Sequence, residues 1–256
     1  MTPARIVSLC PSITETLVAI GGLKRLAAAT RYCVRPKGML WGLPRIGGTK
    51  DPDVPRILAL EPDLVFANEE ENRIEDVQAL RAAGVSVDVT FPRTVGEVPE
   101  AIRRWGSLLG GTSEAEAGEL ARRIEEEHEA ILREPAAPPF LYAYWIWKDP
   151  WMTISDDTYV ADLLGLAGGV NVFGREAERY PARTPAESLE RGADVHFFPS
   201  EPFPFRPQRH EAETERLFGK QRVRLFVEGD DYCWHGFRTL DGLKAMRALR
   251  KRIGDL

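Results

Sequence analysis

The chain has no uninterrupted apolar run near the ~18 residues that a membrane-spanning helix needs. It has only three cysteines, Cys10, Cys33 and Cys233, far apart and without a C-x-x-C pair. That count fits reduced thiols better than a disulfide framework. It has no excess of positive charge: the formal net charge is −5, which argues against a nucleic-acid footprint. It has no G-x-S-x-G elbow, no P-loop, no H-E-x-x-H and no G-x-G-x-x-G after a strand, so the usual hydrolase, phosphate-binding and dinucleotide signatures are missing. Gly47-Gly48-Thr49-Lys50 resembles the end of a P-loop but lacks the upstream glycine, and reads as a turn. The opening Met1-Thr2-Pro3-Ala4-Arg5 runs straight into "IVSLCPS", with no basic n-region, apolar h-region or small-residue cleavage site. The expected location is therefore cytoplasmic as the sequence stands, and periplasmic or cell-surface if a leader has been removed.

What is present is ordinary for a globular protein: 256 residues, 43% hydrophobic and 29% charged, enough for one large domain or two lobes. Short apolar runs alternate with helical periodicity. Strands are expected at Arg5–Leu9, Leu26–Thr30, Leu64–Ala67 and in "VSVDVT", with helices between them. "SITETLVAIGG" reads as a helix with Ser12 as N-cap and Glu15 three residues on, a capping box. Thr112–Glu134 reads as one long helix with Leu120, Ile124, His128, Ile131 and Leu132 along one side. After "PAAPP" the alternation resumes: "FLYAYWIW", "ADVHFFPS" and "RVRLFVEG" as strands, "DDTYVADLLGLAGG", "EAETERLFG" and "TLDGLKAMRALRKRIG" as helices. The expectation is an α/β fold of two lobes with largely parallel sheets, residues 1–111 and 135–256, joined by one long backbone helix over 112–134.

In parallel α/β sheets, ligands sit beyond the carboxyl ends of the strands. The segments leaving those ends carry Tyr32, Trp41, Trp147, Trp151 and Trp234. Each ring either packs against its own loop or offers a platform for a broad, flat ligand. The same segments carry an acidic run, Glu69-Glu70-Glu71, which is either a solvated face or a set of ligand contacts. His235, in "CWHGFR", is the histidine best placed for a ligand or proton-transfer role. Arg238 follows it.

"RIVSLCPSITETLVAIGG", "RIGGTKDPDVPRILALEPDLVFAN" and "LLGLAGGVNVF" together resemble the class III solute-binding proteins, the helical-backbone metal receptors. Their members serve ABC importers for cobalamin, haem and iron-siderophores, and the cobalamin-binding members are nearest in pattern. The resemblance covers nearly the whole chain. It implies a non-enzymatic, monomeric protein that holds cobalamin, haem or a ferric chelate in a cleft between two lobes and works with an ABC permease. It also implies cleft-lining positions at Pro11, Tyr32, Trp41, Glu69, Glu70, Trp147, Trp151, Tyr180, Trp234 and Arg238. Two other readings stay open on the same fold: a cytosolic metal-dependent enzyme using the glutamates and His235, and a storage or interaction protein. Whether a metal meets protein side chains directly is not fixed by the sequence.

Local chemistry adds two expectations. Trp147 and Trp151, either side of Lys148-Asp149-Pro150, face the ligand. Glu69 and Glu70 line the cleft toward His235 and Arg238, whereas Glu71 points to solvent or caps a helix that Asn72 opens.

Overall fold

The computed structural model describes residues 2–254; residue 1 and residues 255–256, the outer ends of the two expected lobes, lie outside them. The chain divides into two compact units. One comprises the residues up to Pro92, Gly96–Glu125 and His235–Arg238; the other comprises Arg93–Val95, Glu126–Trp234 and the chain from Thr239 onward.

The first unit is built on β1 (Ile6–Ser8), α1 (Pro11–Ala19), β2 (Leu26–Ala29), α2 (Val54–Ala59), β3 (Leu64–Asn68), α3 (Ile74–Ala82), β4 (Ser86–Thr90) and α4 (Val98–Leu109). Its four strands are all parallel and run in the order β2-β1-β3-β4. Alternation along the strands puts Val7, Val65 and Ala67 in one cluster with Ile57, Val77 and Leu80. Ile6 and Phe66, one residue out of phase, are equally buried, as a sheet covered on both faces requires.

Helix α1 starts differently from the capping-box expectation. Pro11 occupies the first turn, where its missing N–H costs nothing. Cys10 is the N-cap and makes no side-chain cap. Ser12 and Glu15 therefore lie inside the helix, both buried, and are free for other partners. The helix closes on Gly21-Gly22 with N–H bonds from Gly22 to Leu17 O (2.7 Å) and from Gly21 to Val18 O (3.1 Å), a Schellman end.

α5 (Thr112–Arg133) is one continuous helix, and the division between the units falls inside it. Ala117, Leu120, Ala121, Ile124 and Ile131 are buried along it. Leu132, expected in that row, is 62% exposed. Adjacent helical residues point ~100° apart, so Leu132 cannot share the face of Ile131.

The second unit contains β5 (Phe140–Tyr144), α6 (Tyr159–Gly165), β6 (Gly169–Asn171), α7 (Pro185–Glu190), β7 (Val195–Pro199), α8 (Pro207–Phe218), β8 (Val223–Val227), α9 (Gly229–Cys233) and α10 (Thr239–Gly254). Its sheet is also parallel, in the order β6-β5-β7-β8. Three of these elements, β6, α7 and α9, are too short to display a period in sequence. Helix α7 is nonetheless well specified: Thr184 and Glu187 form a reciprocal capping box. The core of this unit is aromatic, with Trp145, Phe173, Phe198, Phe205 and Phe218 in one cluster. Among the described residues no helix is long and apolar enough to cross a membrane.

Candidate functional site

In the first unit the loop after β2 is the most unusual surface. Tyr32 (52% exposed), Val34 (59%), Met39 (50%) and Trp41 (94%) stand in solvent within ten residues of one another. The loop's backbone is nevertheless tied down. Arg45 Nη1 donates to Thr30 O (3.0 Å) and Cys33 O (2.8 Å). Arg31 pairs with Asp51 at 2.9 Å and lies 5.1 Å over the Tyr32 ring. Bulky apolar side chains held out on a fixed backbone are what a stacking ligand needs.

At the end of β3 the acidic run is folded into a turn held by two asparagines. Asn68 Oδ1 accepts from the N–H groups of Glu70 (2.9 Å) and Glu71 (3.1 Å). Asn72 Oδ1 accepts from Asn68 N (2.8 Å), and Asn72 Nδ2 donates to Leu9 O (3.2 Å) and Thr49 O (3.0 Å). Asn72 is thus a buried bracket. The N-cap of α3 is Arg73, without a side-chain cap, and Glu75 and Asp76 supply the acid in its first turn. Glu71 does not take the expected solvent or capping position: it is half-buried, hydrogen-bonded to Thr49, and burial pushes its carboxyl up against the opposing pull of Lys50. Glu69 is exposed and Glu70 half-buried, with Lys50 Nζ on the Glu70 carbonyl at 2.5 Å.

Residues 235–238 follow the second unit in sequence yet pack with the first. They lie along α1. His235 Nδ1 is 2.9 Å from Ser12 Oγ, and His235 Nε2 is 3.3 Å from Asn68 Nδ2. Phe237 N donates to Thr16 Oγ1 (2.9 Å). Arg238 forms a two-pronged bridge to Glu15, at 2.9 and 3.2 Å. Gly236 permits this approach: its φ is +94°, and a Cβ there would meet Thr16 Oγ1 at 2.2 Å. The Trp105 ring stands edge-on to His235 at 6.2 Å, and Trp105 Nε1 donates to the buried Asp88 (3.2 Å). Burial holds the His235 imidazole down to about 4, so it is neutral at ordinary pH. The Ser12–Glu15 pair read as a helix cap is thus the seat for His235 and Arg238. Arg238 is engaged by Glu15, a partner that the sequence reading did not assign to it.

In the second unit, Trp147 is 41% exposed, with its ring edge-on to Phe203 at 5.5 Å. Trp151 turns inward: it stacks on Phe205 (5.9 Å, 16°) and meets Trp145 edge-on at 5.3 Å. An antiparallel bridge between Trp147 and Met152 reverses the chain there, which separates two rings that the sequence sets four residues apart. Tyr180 is half-buried, between residues whose carbonyls accept from Ser155 N (2.9 Å) and Thr153 N (3.0 Å). Trp234 is buried at the end of α9. Pro11, in the first unit, is likewise buried.

Sequence reasoning missed Asn68, Asn72 and Ser12 as site-shaping residues. The asparagines had a signal, since turn-forming residues flanked the acid on both sides. Glu15 had one too, as the lone carboxylate in an apolar helix.

Two parallel α/β units, each with aromatic and polar side chains on the loops leaving its strands, define a solute-binding protein. The chain belongs to the periplasmic binding protein family, whose profile matches residues 6–197. It is 27% identical over 195 residues to a vitamin B12-binding protein of Vibrio cholerae, spanning 75% of this chain and 69% of that one. Its fold is that of the crystallised periplasmic vitamin B12-binding protein of Vibrio cholerae, at a TM-score of 0.83 and 22% identity over 99% of each chain. The periplasmic heme-binding protein of Roseiflexus sp. RS-1 shares it at a TM-score of 0.78 and 22% identity, over 96% of this chain and 98% of that one.

Proposed function

We propose that the chain captures a cobalamin-like solute, with haem or a ferric chelate as the other members of the same chemical class, and delivers it to an ABC permease. One observation carries the reading: the exposed set Tyr32, Val34, Met39 and Trp41 on a pinned loop. Leaving such side chains in water forgoes roughly 1.5–3 kcal/mol of burial for each of the larger ones. A broad, partly apolar ligand recovers that surface. Vitamin B12 and heme in the names of the relatives support a tetrapyrrole-type solute.

In this reading Tyr32, Trp41, Glu69, Glu70, Trp147 and Tyr180 touch the solute. The glutamates meet amide or cationic edges of the ligand. Pro11, Trp151, Trp234, His235 and Arg238, each packed within its own unit, hold the loops in place. The chain then works as a monomer on the outer side of the cytoplasmic membrane. Titration of the purified protein with cyanocobalamin, hemin and a ferric trihydroxamate, followed by tryptophan fluorescence and calorimetry, tests the reading. Saturable quenching by one of them is the expected result; no binding by any of the three overturns it.

A further inference from the structure

The loop after β2 has a second property besides its apolar side chains. From Arg31 to Lys50 the chain carries five cations, Arg31, Arg35, Lys37, Arg45 and Lys50, and no aspartate or glutamate, in a protein whose formal net charge is −5. Arg31, Arg45 and Lys50 work within the unit. Arg31 pairs with Asp51, Arg45 donates to the carbonyls of Thr30 and Cys33, and Lys50 donates to the carbonyl of Glu70. Arg35 and Lys37 lie in the tip of the loop, between Val34 and Met39, and Lys37 is exposed as those two are.

The tip projects, and its base is held. Cys33 and Leu40 are buried and anchor its two sides. Val34 N donates to Tyr32 O at 2.9 Å and Met39 N to Pro36 O at 3.2 Å, so the backbone turns on itself. A Cβ added at Gly38 (φ +80°) or Gly42 (φ +77°) would meet no heavy atom of the described residues within 4 Å, so the chain stands clear of the unit at both points.

Apolar side chains projecting beside Lys and Arg, with no acid among them, suit a membrane interface. The apolar groups enter the boundary between headgroups and acyl chains, a tryptophan ring lies at headgroup level, and the cations meet lipid phosphate. A protein partner must offer a hollow shaped to a convex tip. A bilayer closes around the tip and needs no such shape.

We propose that this loop docks the protein on an anionic lipid surface. Val34 and Met39 enter the interface, Arg35 and Lys37 face lipid phosphates, and Trp41 lies at headgroup level when no solute holds its ring. The proposal goes beyond the solute reading and does not depend on it, because it uses the charge and the tip of the loop in the solute-free protein.

The test uses the full chain without solute. It is mixed with vesicles of phosphatidylcholine, with and without phosphatidylglycerol, in low and high salt, and the bound fraction is read by flotation. Lys37→Ala removes a charge, and Val34→Ser with Met39→Ser removes the apolar tip; far-UV circular dichroism checks that both fold. The expected result is binding only to vesicles that contain phosphatidylglycerol, weakened by salt. Lys37→Ala should lower the partition coefficient about fivefold, and the double serine variant about tenfold. Tryptophan emission should shift to the blue on binding, and Trp41→Phe should remove that shift. Loss of strength in Lys37→Ala but not in the double serine variant means charge attraction without insertion, which overturns the docking. Binding untouched by all of these variants places it on another surface and also overturns it. No binding to the anionic vesicles leaves the tip to a protein partner or to the solute alone; the proposal then falls, while saturable solute binding keeps the solute reading standing. Vesicle binding without any solute binding has the reverse outcome.

Discussion

Asn68 Nδ2 lies 3.3 Å from His235 Nε2, and the direction of that bond is fixed by the backbone. Asn68 Oδ1 accepts two N–H groups, from Glu70 and Glu71, so its amide nitrogen must face the histidine. The same nitrogen donates to Thr90 O at 3.0 Å. Nε2 is therefore the acceptor, the ring proton sits on Nδ1, and Nδ1 donates to Ser12 Oγ at 2.9 Å. The acidic turn, helix α1 and residues 235–238 are joined through one neutral imidazole.

A pH dependence follows. The folded-state pKa of His235 is lowered to about 4. The unfolded chain takes up this proton first, so the contribution is fully present above ~6.5 and is lost as pH falls toward about 4. The loss is on the order of 3 kcal/mol at ~1.4 kcal/mol for each pH unit. His196, pushed down to about 3 by burial, adds a loss of the same sign in the second unit. The melting temperature should fall over this window, and His235→Gln should flatten part of the fall. Nitrogen-15 shifts placing the proton on Nε2 would contradict the assigned tautomer.

The Glu15–Arg238 bridge joins side chains that are only 5% and 14% exposed. Removing one partner of such a pair leaves a buried charge and costs about 3–5 kcal/mol. Denaturant unfolding of Glu15→Gln should show a loss of that order, while Glu15→Leu combined with Arg238→Met should recover most of it. Equal losses in the single and double variants would mean that the bridge does not govern stability here.

Glu71 gives the opposite sign. Its carboxyl is raised by burial, so the penalty for ionising it appears as pH rises through its folded pKa. Glu71→Gln should raise the melting temperature at pH 7 and change it little near pH 4. Glu69→Gln with Glu70→Gln should instead weaken solute binding and leave stability alone; unchanged affinity would leave those two as a solvated turn.

The tryptophans divide by exposure. Trp41→Ala and Trp147→Ala should each lower solute affinity by about 1 kcal/mol, or roughly fivefold, with little effect on melting. Trp151→Ala should cost about 3 kcal/mol of stability, because its partly buried ring packs against the aromatic core. Calorimetric titration and thermal melts of the three variants separate the two outcomes.

The sequence by itself determined the alternation of strands and helices, the parallel sheets and the continuous helix over Thr112–Arg133, because periodicity and chain punctuation are local properties. It also marked Tyr32 and Trp41 as loop aromatics. It did not show that β6, α7 or α9 exist, since three to six residues carry too little period to read. Tertiary structure alone decided the rest. Ser12 and Glu15 have the spacing of a helix cap, and only the return of the chain at 235–238 gives them His235 and Arg238 as partners instead. Trp147 and Trp151 look alike in sequence; the bridge from Trp147 to Met152 turns one outward and lays the other, partly buried, against the aromatic core. Pairings more than 220 residues apart, such as Ser12 with His235, leave no local trace, because each partner is chosen by where the other's backbone arrives.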